Sequence, residues 1–154
     1  MACDKLKSFL DEINIHYITI THSRAFTAQE VAATAHISGN EMAKTVIVKI
    51  KGEMAMAVLP ANYHVDFALL KDVTGHDSVI LAVEEEFRAK FPDCELGAMP
   101  PFGNLYNMDV FVAQKLTEND QIAFNAGTHT ELVKMNYADY ANLVKPKVVK
   151  FSVT

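Results

Sequence analysis

The sequence predicts an α+β fold, a single domain with a mixed β-sheet flanked by helices. Three observations carry that expectation. Apolar residues open the chain at helical spacing, short β-rich runs are scattered through the remainder, and helices and strands mingle without the regular strand–helix–strand rhythm of a parallel sheet. The 154 residues suit one domain able to bury a core without staples. No repeat or Gly/Ser-rich linker divides residues 1–154.

Leu6, Phe9, Leu10 and Ile13 recur at i, i+3, i+4 and i+7, so the first dozen residues read as a helix with one apolar face. Tyr17-Ile18-Thr19-Ile20 reads as a short strand. Thr27-Ala28-Gln29-Glu30 has the spacing of a capping box, and Val31, Ala32 and Ala35 form the inner side of the helix it starts. After the loop 37–40, the stretches Thr45–Ile50 and Glu53–Leu59 predict a hairpin closed at Lys51-Gly52. Phe67, Leu70 and Val73 give helical spacing to 65–73. Residues 83–91 are expected to form another helix, its first turn rich in Glu, where the helix dipole favours anions, and Pro92 ends it. Gly97-Ala98-Met99-Pro100-Pro101-Phe102-Gly103 cannot be regular structure, since the prolines remove donors and the glycines permit unusual backbone shapes. Strands are expected at 110–112, 122–124 and 131–133, a helix at 137–143, and a closing strand at 148–151.

Composition excludes some functions. Lys and Arg number 14 against 19 Asp and Glu, a net charge of −5, which argues against gripping a long stretch of nucleic acid through its phosphates but leaves room for contact with an end. Lys145, Lys147 and Lys150 form a modest cluster that reads as solvated surface. The N-terminus leads into a charged amphipathic segment and no apolar run approaches ~20 residues, so a cytoplasmic protein without membrane or DNA partners is expected. Cys3 and Cys94 stand far apart, which suits a reducing compartment. Nucleophile-elbow, phosphate-loop, paired-cysteine and His-Glu-x-x-His motifs are absent, and the six histidines lack the close pairings of metal sites. We therefore expect no metal, no cofactor and no covalent intermediate.

Lys44 is out of place, standing where a buried strand begins, just ahead of Thr45-Val46-Ile47-Val48. Burying an ammonium is costly, so either its stem lies along the sheet with the head in water, or the charge has a use. Two other segments bear on that choice. The stiff loop 97–103 could line a pocket or simply cross the core, and Asn125-Ala126-Gly127-Thr128-His129 could close a pocket or simply turn the chain.

These elements, in this order, resemble the YbaK and prolyl-tRNA synthetase editing-domain family. The resemblance rests on Thr27-Ala28-Gln29-Glu30, Met42-Ala43-Lys44-Thr45-Val46, the 97–103 loop and Phe124-Asn125-Ala126-Gly127-Thr128-His129, and it covers nearly the whole chain. It implies a deacylase of mischarged tRNA: Lys44 as the functional lysine, Gly97-x-x-x-Pro101 as the substrate loop, and His129 at the far wall. Gly97, Ala98, Met99, Pro100, Pro101, Gly103, Gly127, His129, Thr27 and Thr45 are the implied substrate-binding positions. The implied substrate is an aminoacyl-tRNA acceptor end, tRNA(Pro) carrying alanine, cysteine or a residue of similar size, with prolyl-tRNA synthetase as a possible partner. The chain departs from the pattern at Ala113, where many relatives carry Asp. That departure supports an alternative, a non-catalytic module that binds an aminoacyl-tRNA end or a synthetase.

Overall fold

A computed structural model describes residues 4–25 and 27–154. Its elements are, in chain order, α1 (Asp4–Glu12), β1 (Tyr17–Thr21), α2 (Ala28–Thr34), β2 (Ala43–Ile50), β3 (Glu53–Pro60), β4 (His64–Val65), α3 (Phe67–Thr74), β5 (Val79–Leu81), α4 (Glu84–Phe87), β6 (Asp109–Ala113), β7 (Gln121–Asn125), β8 (Glu131–Asn136), α5 (Tyr137–Val144), β9 (Lys147–Val149) and β10 (Ser152–Val153), with three short 3-10 turns between them. None of the described helices is long and apolar enough to cross a membrane. Cys3 lies outside the described residues.

A mixed five-stranded sheet, in the order β5-β2-β3-β6-β9, forms the centre. β2 and β3 pair antiparallel along their full length, from Ala43 opposite Pro60 to Ile50 opposite Glu53. Lys51 and Gly52 turn between them with φ of 53° and 81°, the left-handed pair that a two-residue hairpin requires. β6 runs parallel to β3, and β9 parallel to β6. A separate antiparallel sheet, β1-β8-β7, stands beside this one, and β10 pairs with β4.

Both faces of the five-stranded sheet are covered, which is why β3 after Glu53 and β6 after Asp109 run continuously apolar. On one face Ala43, Ile47, Met56, Val58, Val110 and Val112 pack with Leu6 and Leu10 of α1, Phe102, Phe124 and Tyr140. On the other, Val48, Ala55, Ala57, Leu59, Phe111 and Ala113 pack with Leu70 of α3 and Phe151. A third cluster seats Val31 and Ala32 of α2 against Met42, Ala123 and Leu132. The capping box that starts α2 is present: Glu30 N–H donates to Thr27 Oγ1 at 3.1 Å and Thr27 N–H to Glu30 Oε1 at 3.0 Å.

Two expected elements change shape. The helix expected at 83–91 is α for only Glu84–Phe87 and tightens to 3-10 over Arg88–Lys90, because the residue before Pro92 is disfavoured in helical geometry. Phe87 and Phe91 still meet edge to face, 6.2 Å apart. The closing strand expected at 148–151 is broken in two. Phe151 is fully buried and its carbonyl accepts from Asp66 N–H at 2.7 Å, so the chain leaves β6 there and crosses to β4.

Tyr140 fastens the long loop to this core: its ring stands edge-on to Phe102 at 5.3 Å and its hydroxyl donates to Pro101 O at 2.7 Å. Replacing Tyr140 by Phe leaves that carbonyl buried without a donor, and unfolding in urea should show a loss of about 1–3 kcal/mol.

Candidate active site

Strand pairing creates the site. A strand has two edges, and β3 takes one edge of β2 completely. The other edge is shared. β5 pairs with Val48–Ile50, while β7 meets the chain just ahead of β2 at an isolated parallel bridge, Met42 to Ala123. Between these two contacts lies the stretch from Lys44 to Val46, where the edge of β2 is open.

Lys44 is half-buried. Alternation along β2 sets Ala43 and Ile47 on the face of α1 and puts Lys44 on the opposite face with Val46 and Val48. Across the sheet it meets Leu59, and beyond Leu59, on the same face, comes Ala113. No hydrogen bond or ion pair engages Lys44 among the described residues. Burial therefore acts on it unopposed and lowers its pKa from the ordinary 10.5.

The bend after β7 and the loop before Met99 are joined into one unit. Gly127 N–H donates to Ala98 O at 2.9 Å, and Glu95 N–H donates to Gly127 O at 2.7 Å. His129, 5% exposed, donates from Nε2 to Leu96 O at 2.8 Å. Gly97 has a φ of +85°, and a Cβ there would stand 3.4 Å from His129 Cε1. Glycine thus permits both the left-handed backbone and close approach of the imidazole. Because β7 leads from the Met42–Ala123 bridge to Asn125 and the bend, this unit begins at the level of Lys44.

The profile of the aminoacyl-tRNA editing domain matches residues 22–143. The chain belongs to that family. Among relatives, it is 27% identical over 155 residues to the multifunctional Ser/Thr-tRNA deacylase ProXp-y of Escherichia coli K12, covering 97% of this chain and 92% of that protein. It is 24% identical over 142 residues to the prolyl-tRNA editing protein ProX of Acetoanaerobium sticklandii, covering 88% and 86%. A crystal structure of a protein proposed as a trans-editing enzyme for prolyl tRNA synthetase superposes with a TM-score of 0.82 at 15% identity, covering 99% of this chain and 97% of that one.

Within this editing domain the residues singled out by sequence fall into separate groups. Gly97, Ala98, Gly127 and His129 come together as described. Met99 is buried and its sulfur accepts from Gly97 N–H at 3.3 Å. Pro100, Pro101 and Gly103 are buried beneath the loop, and a Cβ on Gly103 would come within 2.3 Å of Met108 O, so packing requires that glycine. Thr45 points to the opposite face of the sheet from Lys44, with Ala43 and Ile47. Thr27 uses its hydroxyl as a helix cap. Sequence reasoning quoted Asn125 within the 125–129 turn but gave no site role to it, 8% exposed in the structure, or to Glu95. An Asn ending the apolar run Gln121-Ile122-Ala123-Phe124 was the available signal for the first.

Two clefts of about 460 and 430 Å³ open at the hairpin end of the five-stranded sheet, around Glu53, Met54 and Asp109. Lys44, Gly97 and His129 line neither of them. The larger mixes Lys51, Glu53, His76, Asp109 and Lys147, charges of both signs without a shared polarity.

Glu95 is the lock of the loop. Its Oε1 accepts from His129 N–H at 2.8 Å and its Oε2 from Arg24 at 3.0 Å. The His129 amide first, then Arg24, hold its carboxyl below the usual 4.5, against an opposing effect of burial. A depressed carboxyl stabilises the fold fully above its unfolded pKa, and that contribution fades as pH falls below 4.5 through the lowered value. The hydrogen-exchange protection factor of the His129 amide should therefore fall on acidification below about pH 4.5, and Glu95→Ala should lower it at neutral pH.

Proposed function

We infer that the chain is a trans-editing aminoacyl-tRNA deacylase that hydrolyses the ester between a small wrong amino acid and the terminal adenosine of tRNA, and that residues 1–154 form its one domain. The observation that carries the reading is a half-buried ammonium, Lys44, at an open strand edge, with no hydrogen bond or ion pair among the described residues; the glycine-lined unit of 97–98 and 127–129, which follows β7, supports it. Such a cation is held in place before the substrate arrives. Water attacking an ester carbonyl generates an oxyanion, and a preplaced, partly desolvated cation stabilises that oxyanion, or a phosphate of the CCA end, better than bulk water does.

Under this reading Lys44 positions the acceptor end and water is the nucleophile, assisted by substrate groups such as the ribose 2′-hydroxyl. The Gly97 turn offers backbone carbonyls to the free α-amino group, and His129 closes the far wall. Specificity then comes from size. A pocket separates residues differing by one methylene by only about 1–3 kcal/mol, which is why a second sieve exists for small wrong amino acids.

On the substrate, tRNA(Pro) charged with alanine or cysteine is the proposal drawn from the editing-domain resemblance, with prolyl-tRNA synthetase as the partner that directs it. A second reading, serine or threonine as the group removed, is favoured by the name of the 27% identical relative, a Ser/Thr-tRNA deacylase. Challenging the purified protein with tRNAs mischarged with alanine, cysteine, serine, threonine and 2-aminobutyrate separates the two. Binding of every charged tRNA without release of any amino acid would instead leave a non-catalytic module.

Lys44→Ala should reduce the rate of deacylation about 100- to 1,000-fold, the usual loss when one preorganised oxyanion donor is removed. Lys44→Arg should not restore it, because a planar guanidinium cannot occupy the place of a compact ammonium. Single-turnover kinetics on the most reactive charged tRNA provide the measurement.

A further inference from the structure

Asn125 is the last residue of β7. More than nine-tenths of it is buried, and its Oδ1 lies inaccessible with no hydrogen-bond partner. An amide buried in this way is costly, and the residues on its own strand do not explain it. The strand register does. Met42 and Ala123 face each other in a parallel bridge, so Lys44 and Asn125 each lie two residues beyond it in the same direction. Ile122 and Phe124 point to the face of α1 with Ala43, whereas Ala123 packs with Met42. Alternation therefore puts Asn125 and Lys44 on one face, on neighbouring strands spaced about 4.8 Å apart where they pair. Register and alternation thus put two polar side chains, neither with a hydrogen-bond partner among the described residues, on one face of adjoining strands.

We propose that Asn125 is a positioning residue for Lys44, its carboxamide oxygen receiving the ammonium and aiming it at the reacting ester. This deepens the deacylase reading and rests on it for the catalytic consequence only. The choice of an amide has a chemical reason. Leu59 and Ala113, the neighbours of Lys44 on its other side, supply no charge, and a carboxylate at 125 would neutralise the cation that the substrate needs. A carboxamide orients an ammonium by a charge-assisted hydrogen bond while leaving its charge intact.

The test uses Asn125→Leu, which keeps the side chain's shape, and Asn125→Ala in case the first does not fold. The first readout needs no tRNA: trace acetylation of the free protein with acetic anhydride at pH 8, with Lys44 modification followed by mass spectrometry. Loss of the acceptor destabilises the ammonium, so Lys44 should label up to about tenfold faster, the change produced by one unit of pKa. Asn125→Asp should label more slowly than wild type. The second readout is a double-mutant cycle on deacylation. Asn125→Leu alone should lower kcat about 10- to 100-fold, the worth of a hydrogen bond to a charged group, and should have no further effect in a Lys44→Ala background. Thermal unfolding should show that the Leu variant still folds cooperatively, so that a change in Lys44 labelling reports the lost acceptor and not a lost fold. Unchanged Lys44 labelling in both the Leu and Ala variants overturns the proposal, as does full additivity with Lys44→Ala. If the wild type hydrolyses no charged tRNA yet labelling of Lys44 still depends on Asn125, the deacylase reading falls and the pairing stands.

Discussion

The free edge of β2 is the constraint from which the site follows. β3 saturates one side of that strand for its whole length, so β5 and β7 must share the other, and the stretch from Lys44 to Val46 lies between them. Both faces of the sheet are packed, so a side chain in this stretch is sheltered without being enclosed. Lys44 is half-buried there with no counter-charge among the described residues. A fully enclosed ammonium would lose its proton or unfold its surroundings, and a fully exposed one would be screened by water. The strand gap holds it between these limits.

The 95–101 loop and the 127–129 bend are braced for a different reason. Main-chain hydrogen bonds tie Gly127 to Glu95 and Ala98, the carboxylate of Glu95 ties His129 to Arg24, and Tyr140 holds Pro101 from below. Each bond joins segments far apart in the chain, so the loop is braced along its length. Gly97 and Gly127 take left-handed φ of +85° and +95°, which side chains resist, and Gly97 also leaves room for the His129 imidazole. Under the proposed reading, such bracing serves a reaction that depends on placing an ester accurately.

The local charge pattern runs against the average of the molecule. A protein with net charge −5 repels a polyanion at long range, while at the open strand edge the residues flanking Lys44 on its face, Leu59 and then Ala113, carry no carboxylate. Recognition confined to the end of a tRNA fits this distribution better than a broad basic surface would. The absence of an acid at Ala113, which at first favours a binding module, has a second consequence in three dimensions, because it leaves the lysine unneutralised.

Features governed by contacts within a few residues were legible in the sequence. The α1 stripe through Leu6, Phe9 and Leu10, the capping box of Thr27 and Glu30, the Lys51-Gly52 turn and the irregular 97–103 loop all depend on neighbours in the chain and stand where expected, whereas Ile13, expected on the same stripe, lies past the end of α1 and is exposed. Lys44 itself was visible as a charge interrupting an apolar strand. Strands as short as β4, β5 and β10 were not, since two or three residues carry no periodicity and form only where a partner strand already lies. Tertiary structure alone decided that Gly103 serves packing while Gly97 meets His129, and that Thr45 and Lys44 part to opposite faces. It alone set Asn125 beside Lys44. One parallel bridge between strands distant in sequence fixes that neighbourhood, and such a bridge arises from how sheets and helices share a core, which no local window of residues contains.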